Sequence, residues 1–271
     1  MTVALNEASL PRVNILGVGV HAVDMLRAIH LIDSALSQGK RGYVCVTGVH
    51  GIMEAQKDTD FEAILNHSLL TTPDGMPTVW IGRLKGFSQM RQVTGPNFML
   101  RVCELSVAKG YTHFFYGGVE GVADQLKSEL TRRFPGLNVV GTYTPPFRPL
   151  SVAEECELTS QVARLKPDLF WIGLSTPKQE RFMAQFLPLL PEAKVFLGVG
   201  AAFDFLTGRV KQAPRWMMRS GLEWFFRLSQ EPKRLWRRYA VYNPLFVWRA
   251  AGQLLGWRNY HLRPGPGSTT I

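Results

Sequence analysis

Short apolar runs alternate with longer amphipathic segments over residues 13–208. The runs are rich in β-branched and aromatic residues, which predicts strands, and the segments between them repeat apolar residues at helical spacing. Alternating strands and helices are typical of an α/β fold, here a Rossmann-like, largely parallel sheet flanked by helices. The predicted strands are 13–18, 43–47, 78–81, 112–116, 138–141, 168–172 and 194–198, and the predicted helices are 21–37, 61–66, 98–109, 119–134, 152–166 and 177–187.

The pattern changes near Arg209. Beyond it, aromatic residues are interleaved with arginine and lysine at helical spacing, and Pro214, Pro232 and Pro244 predict a division into three short helices. We therefore predict an α/β domain over 1–208, a helical appendage over 209–263 and a disordered Pro/Gly/Ser/Thr-rich tail over 264–271.

The net charge of +10 belongs entirely to the appendage. Residues 1–208 contain 19 Lys/Arg and 19 Asp/Glu, whereas residues 209–263 contain 12 and 2, together with five of the seven tryptophans. Helices of this composition can lie in a lipid interface, with aromatic side chains toward the acyl chains and arginines toward anionic headgroups. An anionic membrane surface is the predicted partner. The alternative is an ordinary helical cap whose aromatic side chains belong to the core.

Length, cysteine content and hydropathy restrict the class of protein. A chain of 271 residues with 46% hydrophobic residues can bury a sizeable core. Cys45, Cys103 and Cys156 are far apart and form no disulfide or zinc pattern, which favours a reducing, cytosolic compartment. Residues 1–11 lack the basic and apolar regions of a secretory signal, and no stretch reaches the ~18 apolar residues of a spanning helix. We predict a cytoplasmic protein, peripheral on the inner face of the cell membrane.

Two glycine-containing loops carry candidate functional groups. Asp74 lies among turn-forming residues before the predicted strand 78–81, where a carboxylate at a pocket rim can take a proton from an attacking hydroxyl. The alternative is a common Pro-Asp-Gly turn.

Gly117 and Gly118 separate the strand 112–116 from a helix, so their backbone amides can approach a phosphate. A nucleotide is therefore expected here. NAD is not expected, because the GxGxxG fingerprint is absent.

Two further polar positions follow predicted strands. Lys178 and Gln179 begin a helix after a very apolar strand, where Thr176 can cap the helix and Pro177 can occupy its first position. Either Lys178 or Gln179 can contact a sugar or a phosphate. His50 follows the strand 43–47 and is the one histidine placed to reach a site at the strand ends.

The segment Asp58-Thr59-Asp60 matches the short DxD pattern with which many sugar-nucleotide enzymes hold a divalent metal. It precedes an apolar helical segment, so we assign Asp60 to the N-cap of that helix instead. The sequence therefore predicts no metal and no other cofactor.

Several of these motifs, taken together and in order, resemble the WecG/TagA/CpsF glycosyltransferases, glycosyltransferase family 26. The likeness runs from about residue 13 to residue 239 and is more specific than any single motif. The motifs that carry it are 72–77 (TPDGMP), 93–96 (VTGP), 116–118 (YGG), 145–147 (PPF), 177–180 (PKQE), 198–205 (GVGAAFDF), 221–224 (GLEW), 231–235 (EPKRL) and 237–239 (RRY).

The resemblance implies an inverting transfer from a UDP-sugar to a polyprenyl-diphosphate-linked acceptor in bacterial surface-polysaccharide or exopolysaccharide synthesis. The donor sugar is often of the N-acetylmannosamine type, its uronic acid or a hexose. The resemblance also implies that no metal is required, and that the appendage meets the membrane and completes the active site. An oligomer is compatible with this assignment.

The family's functional residues can be placed on this sequence. Asp74 matches the aspartate proposed as catalytic base, and Gln179 matches the glutamine of the PKQE motif. Many members carry an arginine just before Val-Thr-Gly, where this chain has Gln92. Arg91, one position earlier, is therefore the candidate substrate-binding arginine in this chain. Guanidinium groups can stabilise the departing diphosphate bidentately. The appendage arginines assigned to that role are Arg219, Arg227, Arg234, Arg237 and Arg238.

Three other functions are weighed against this hypothesis. A nucleic-acid-binding protein would suit the pI of about 9.8 and the Arg/aromatic appendage, but it leaves the neutral α/β body without a purpose. A Rossmann-type oxidoreductase lacks its fingerprint. A membrane scaffold without catalysis is the third. We predict no nucleic-acid partner.

Overall fold

The computed structural model describes residues 10–263. The tail predicted over 264–271 and most of the segment used to argue against a secretory signal lie outside the described residues. Within them the chain forms eight strands and twelve helices. In order these are β1 Arg12–Ile15, β2 Val18–His21, α1 Met25–Ser37, β3 Gly42–Thr47, α2 Val49–Ala55, α3 Thr59–Asn66, β4 Leu70–Pro73, α4 Met76–Leu84, α5 Gly95–Lys109, β5 Thr112–Gly117, α6 Val122–Arg133, β6 Asn138–Tyr143, α7 Val152–Leu165, β7 Leu169–Gly173, α8 Lys178–Phe186, β8 Val195–Gly198, α9 Ala202–Leu206, α10 Arg215–Arg219, α11 Glu223–Gln230 and α12 Pro232–Leu254.

Six strands form one parallel sheet in the order β4-β3-β8-β7-β5-β6. Helices cover both faces of this sheet, so the predicted α/β fold with a flanked parallel sheet and a helical C-terminal region is confirmed. All six strands run in one direction, so the carboxyl ends of β3, β4, β7 and β8 open onto the same edge of the sheet. That edge is where ligands bind in open α/β folds.

The hydrophobic core consists of one cluster on each face of the sheet. Alternate residues of a strand point to opposite faces, so Tyr43 and Cys45 join one cluster while Val44 and Val46 join the other. Helices α2, α3, α7, α8 and α12 pack on the first face, and α1, α5, α6 and α9 on the second. Such burial on both faces explains why the strands read as continuous apolar runs.

The predicted first strand is a hairpin instead. Strands β1 and β2 pair antiparallel outside the main sheet and turn at Leu16 and Gly17, whose φ angles are +50° and +86°. Two successive positive φ angles are typical of the tightest hairpin turns, which usually contain Asn or Gly. Leu16 gives no such signal, so the sequence pattern missed the turn.

The predicted strand 78–81 is wrong, because these residues lie in helix α4. Gly75 precedes the helix and Pro77 occupies its first turn, where a missing N–H costs nothing. The buried positions Thr78, Val79, Ile81 and Gly82 repeat at helical spacing. The strand is β4, just upstream, whose turn-forming residues concealed it. Asp74 consequently follows a strand rather than preceding one.

The region 209–263 is helical, but Pro244 does not divide it as predicted. Helix α12 continues through Pro244, with buried Leu235 on one side and buried Phe246 and Ala250 on the other. Phe246 and Ala250 belong to the core cluster on the first face of the sheet. The C-terminal helix is thus packed into the α/β body. No helix among residues 10–263 is long and apolar enough to cross a membrane.

Candidate functional site

Asp74 stands at the carboxyl end of β4, next to the end of β3. Its backbone N–H donates to the Thr47 carbonyl at 3.1 Å, and its own carbonyl accepts from the Gln92 amide at 2.7 Å. The N–H of Gly95, at the start of helix α5, donates to the Asp74 carboxylate. A helix N-terminus favours negative charge, so α5 orients and stabilises this carboxylate.

The carboxylate of Asp74 has a strongly perturbed acidity. Burial, and after it the neighbouring carboxylate of Glu223, raise the pKa of Asp74 to about 7. Arg227, the Gly95 N–H and Arg238 act in the opposite direction. A carboxylate with a pKa near 7 can accept a proton from a hydroxyl at neutral pH, as a general base requires.

Two arginines of the appendage face this carboxylate. Arg227, on α11, lies over the Phe205 ring with its Cζ at 5.5 Å, and Arg238 projects from α12. The positive charge of Arg238 acts on Asp74, His50 and Glu180 alike, and burial lowers the pKa of Arg238 to about 10. The Nε atoms of both arginines are buried without a hydrogen-bond partner among the described residues. Both guanidinium groups therefore retain donors that an anionic ligand can use.

His50 lies in the first turn of α2, at the same edge of the sheet. Its Nε2 is 3.3 Å from the Thr176 carbonyl, which only accepts, so Nε2 carries the proton. Burial, together with Arg238, lowers the pKa of His50 to about 3, so the ring is neutral and its 3.8 Å approach to Glu54 is not an ion pair. The ring stacks on Tyr242 of α12, so His50 joins α2 to the C-terminal helix.

Gln179 and Lys178 occupy different environments although they are adjacent. Gln179 is 2% exposed, accepts from the Gly200 N–H at 2.8 Å and donates to Glu180 at 3.0 Å, so its amide links the start of α8 to the loop that follows β8. Lys178 is exposed at the start of α8. Pro177, not Thr176, is the N-cap residue, since α8 begins at Lys178, and the Thr176 hydroxyl donates to Glu180 instead. Gln179 thus supports the edge of the site, and Lys178 is free to reach a ligand.

Gly117 is the last residue of β5 and Gly118 follows it. Strand β5 is four strand spacings from β4, which amounts to about 19 Å at roughly 4.8 Å per strand. At that distance, the amides of Gly117 and Gly118 and the groups around Asp74 do not contact the same phosphate. Gly117 has φ +127°, and a Cβ there would come within 2.9 Å of three backbone atoms of Gly173. This glycine is therefore required by the close approach of β5 and β7 whether or not a ligand binds beside it.

The remaining predicted arginines are dispersed. Arg234 forms a 2.6 Å ion pair with Glu231, and the exposed Arg237 lies over the Trp236 ring. Arg91 and Arg219 instead line a separate cavity of about 880 Å³ beside the Asp74 loop. The other residues lining it are Met25, Met76, Arg83, Gln92, Asn97, Leu100, Arg101, Glu104, Arg133, Phe134, Arg215 and Met218.

The DxD segment has a structural role different from the predicted one. Asp58, not Asp60, is the N-cap of α3: its carboxylate accepts from the Phe61 N–H at 3.0 Å, and Asp60 lies in the first turn. Asp58 also contacts Arg181. Among the residues that the structure describes, no three His, Cys, Asp or Glu side chains are grouped to hold a metal ion.

Sequence reasoning missed the second carboxylate at the site. Glu223 faces Asp74 from α11, and burial raises the pKa of Glu223 while Arg227 lowers it. The residue lies in the GLEW motif, which marked the segment but not the function of its glutamate. Tyr242 and Glu54 were also missed. The Tyr242 hydroxyl donates to Glu54 and accepts from Lys57, and no sequence motif marks this contact.

Comparison with known proteins gives a consistent result. The family model described as the WecG/TagA/CpsF glycosyl transferase family matches residues 13–260. A relative from Bacillus spizizenii strain W23 is 30% identical over 209 residues, which is 77% of this chain and 79% of the relative. A relative from Bacillus subtilis strain 168 is 32% identical over 184 residues, 68% of this chain and 69% of the relative. Both are named N-acetylglucosaminyldiphosphoundecaprenol N-acetyl-β-D-mannosaminyltransferase.

Proposed function

This chain belongs to the WecG/TagA/CpsF family of glycosyltransferases, and we propose that it moves a sugar from a UDP donor to a polyprenyl-diphosphate-linked acceptor. The names of the two Bacillus relatives support an acceptor that carries N-acetylglucosamine on undecaprenyl diphosphate, and a donor sugar of the N-acetylmannosamine type. Bacterial surface polysaccharide, including exopolysaccharide, is the product class. The matched family gives no support to the nucleic-acid-binding alternative.

The observation that carries the proposal is the carboxylate of Asp74 with a pKa near 7 beside the guanidinium groups of Arg227 and Arg238. In a single displacement, Asp74 takes the proton of the acceptor hydroxyl as the hydroxyl oxygen attacks the anomeric carbon. The bond from that carbon to the UDP β-phosphate oxygen breaks on the opposite side, so the anomeric configuration inverts. The UDP leaves with the electron pair of the broken bond.

Arg227 and Arg238 are proposed to receive the leaving diphosphate. Negative charge grows on the phosphate oxygens as the glycosidic bond breaks, and fixed cations at that place stabilise the transition state more than the ground state. Their unpartnered Nε donors support this assignment, as does the enclosure that separates them from bulk water. Such a site needs no metal to neutralise the diphosphate, and we propose that none is required.

The appendage is proposed to hold the protein at an anionic membrane surface on the cytoplasmic side. Trp224 and Phe225 on α11 and Trp236 and Trp248 on α12 are exposed, and no side chain of α11 is buried. Helices that combine exposed aromatic rings with arginines bind the headgroup region of a bilayer. The lipid-linked acceptor is delivered from that surface, next to the arginines that the same helices supply.

The test is UDP release by the purified full chain from a panel of UDP-sugars, with farnesyl-diphosphate-linked N-acetylglucosamine as acceptor. Asp74→Asn keeps the size of the side chain but removes the base, so turnover should fall roughly 10²- to 10⁴-fold. Asp60→Asn is the matched control, because Asp60 lies exposed in the first turn of α3 and should retain wild-type turnover.

Each outcome decides one part of the proposal. Acceptor-dependent release that survives in Asp74→Asn would remove Asp74 from the mechanism. Binding of UDP without release from any donor would favour the scaffold hypothesis. Release that is lost in EDTA and restored by a divalent cation would contradict metal independence. Tight, salt-sensitive binding of oligonucleotides without UDP binding would support the nucleic-acid alternative.

A further inference from the structure

The arginine-lined cavity beside the Asp74 loop is a second cationic site. It encloses about 880 Å³ between α4, α5, α10 and the ends of α1 and α6. Six arginines line it against one glutamate, and that glutamate, Glu104, is already paired with Arg101. The side chains of Arg215 and Arg219 make no hydrogen bond or ion pair with any described residue. Such a concentration of unneutralised guanidinium groups fits an anion with several negative oxygens.

The cavity adjoins the proposed base. Met76 is two residues from Asp74, and Gln92 donates its amide to the Asp74 carbonyl at 2.7 Å. Asn97 lies in the first turn of α5, whose Gly95 N–H bonds the Asp74 carboxylate. These three side chains all line the cavity. An anion held among the arginines is therefore close to the loop that carries Asp74.

The uncharged part of the cavity lining is mostly apolar. Its remaining lining is methionine, leucine and phenylalanine side chains, with Gln92 and Asn97 at the Asp74 end. The same helices carry exposed apolar side chains: Leu26 on α1, Trp80 and Leu84 on α4, and Trp216 on α10. A diphosphate attached to a prenyl chain matches this pairing of cations with exposed apolar surface.

We infer that the arginine-lined cavity binds the diphosphate and first prenyl units of the acceptor, apart from the donor diphosphate at Arg227 and Arg238. This inference rests on the proposed function. It assigns Arg219 to the acceptor rather than to the donor, and it gives Arg91 a role at the acceptor. It also adds Arg83, Arg133 and Arg215, which no sequence motif marked. The two diphosphates then bind on different sides of Asp74, and the sugar of the acceptor extends from the cavity to the Asp74 carboxylate.

The experiment compares two double variants of the full chain. Arg133→Gln with Arg215→Gln removes two lining cations whose guanidinium groups hold no other part of the described fold apart from the contact of Arg133 with the Phe134 ring. Arg132→Gln with Lys211→Gln is the matched control. It removes the same net charge from neighbouring, exposed positions that do not line the cavity. Circular dichroism confirms that both variants fold.

Binding of farnesyl diphosphate and of UDP is titrated separately, and KM is measured for each substrate. One lost charge-assisted hydrogen bond corresponds to about a tenfold change in affinity. In the cavity variant, the affinity for farnesyl diphosphate should therefore fall, and the KM for the acceptor should rise, by about tenfold or more. Its affinity for UDP should change less than about twofold. The control variant should change neither substrate by more than that.

Four results would overturn the inference. The first is wild-type protein that does not bind farnesyl diphosphate, and the second is a cavity variant that loses UDP affinity instead of farnesyl diphosphate affinity. The third is an equal loss of farnesyl diphosphate affinity in the cavity variant and the control variant. The fourth is a cavity variant whose binding to phosphatidylglycerol vesicles falls as much as its binding to farnesyl diphosphate. The last would indicate a general headgroup site. If no donor supports transfer while farnesyl diphosphate still binds through the cavity, the proposed function fails and the cavity assignment stands.

Discussion

At the scale of single residues, the site is defined by opposed charges around Asp74. Burial and Glu223 raise the pKa of this carboxyl to about 7, and Arg227 and Arg238 hold it from rising further. A general base works only when deprotonated, so the pH profile of kcat/KM should fall on the acid side, with an apparent pKa near 7. Above that value the rate should level off until another group titrates.

Substitution of the flanking charges should move this acid limb in opposite directions. Glu223→Gln removes a negative neighbour, which lowers the pKa of Asp74 and shifts the limb to lower pH. Arg227→Gln removes a positive neighbour, which raises the pKa and shifts the limb to higher pH. Profiles of kcat/KM against pH measure both shifts. Shifts in the same direction, or none, would exclude Asp74 as the group that the profile reports.

The sequence located Asp74 but not what surrounds it. The turn-forming loop and the resemblance both indicated the aspartate, whereas Glu223 approaches from a helix almost 150 positions later. Pairing of that kind depends on how α11 packs against the body, which no local pattern encodes. The arginines were indicated as a group, and only the fold separates Arg227 and Arg238 from those that line the cavity.

At the scale of elements, glycines fix how closely the strand ends approach. At Gly117 an alanine Cβ would overlap the Gly173 backbone in a positive-φ conformation. Gly117→Ala should therefore cost roughly 3 kcal/mol, since an unfavourable φ alone costs about 1–2 kcal/mol. The measurement is urea unfolding of the purified variant.

Gly121→Ala is the matched control for Gly117→Ala. Gly121 has φ +79° but open space around its Cβ position, so it carries the conformational cost without the overlap. We expect a loss of only about 1 kcal/mol there. Equal losses at the two positions would show that the approach of β5 to β7 relaxes and that Gly117 is not needed for it.

Element prediction succeeded where burial and periodicity agree. Strands buried on both faces and amphipathic helices such as α1 and α6 are close to their predicted positions. It failed at β4 and α4, where Thr72 and Pro73 suggest a turn although they are strand residues, and β-branched residues suggest a strand although they are helical. At both places tertiary packing overrides local propensity.

At the scale of the whole molecule, the aromatic side chains of the appendage divide into two groups. Phe246 of α12 is core, whereas Trp224 and Phe225 of α11 are 38% and 56% exposed. The helical-cap alternative therefore applies to part of α12, and the membrane hypothesis applies to α11. The sequence could not separate the two groups, because both have the same composition and spacing.

Trp224→Gln with Phe225→Gln should weaken binding to anionic vesicles by about tenfold or more while the fold stays intact, because burial of a large apolar side chain contributes about 1.5–3 kcal/mol. Leu189→Gln is the control, since Leu189 is 49% exposed beside the amino ends of β3 and β8, away from the site. Co-sedimentation with phosphatidylglycerol vesicles measures the effect. Unchanged sedimentation of the double variant would contradict a role of α11 at the membrane.

The contacts of the C-terminal segment have a consequence for biosynthesis. Asn14 donates to the Tyr260 carbonyl at 2.6 Å, and the Leu16 N–H donates to Gln253 at 3.1 Å. The β1–β2 hairpin therefore completes its polar pairing only after residues 237 and 246 positions later have been synthesised. Phe246 and Ala250 likewise join the core on the first face of the sheet only after α12 has been synthesised. Until then the nascent chain exposes part of that apolar face, so we expect it to need chaperones and expect chains truncated before α12 to aggregate.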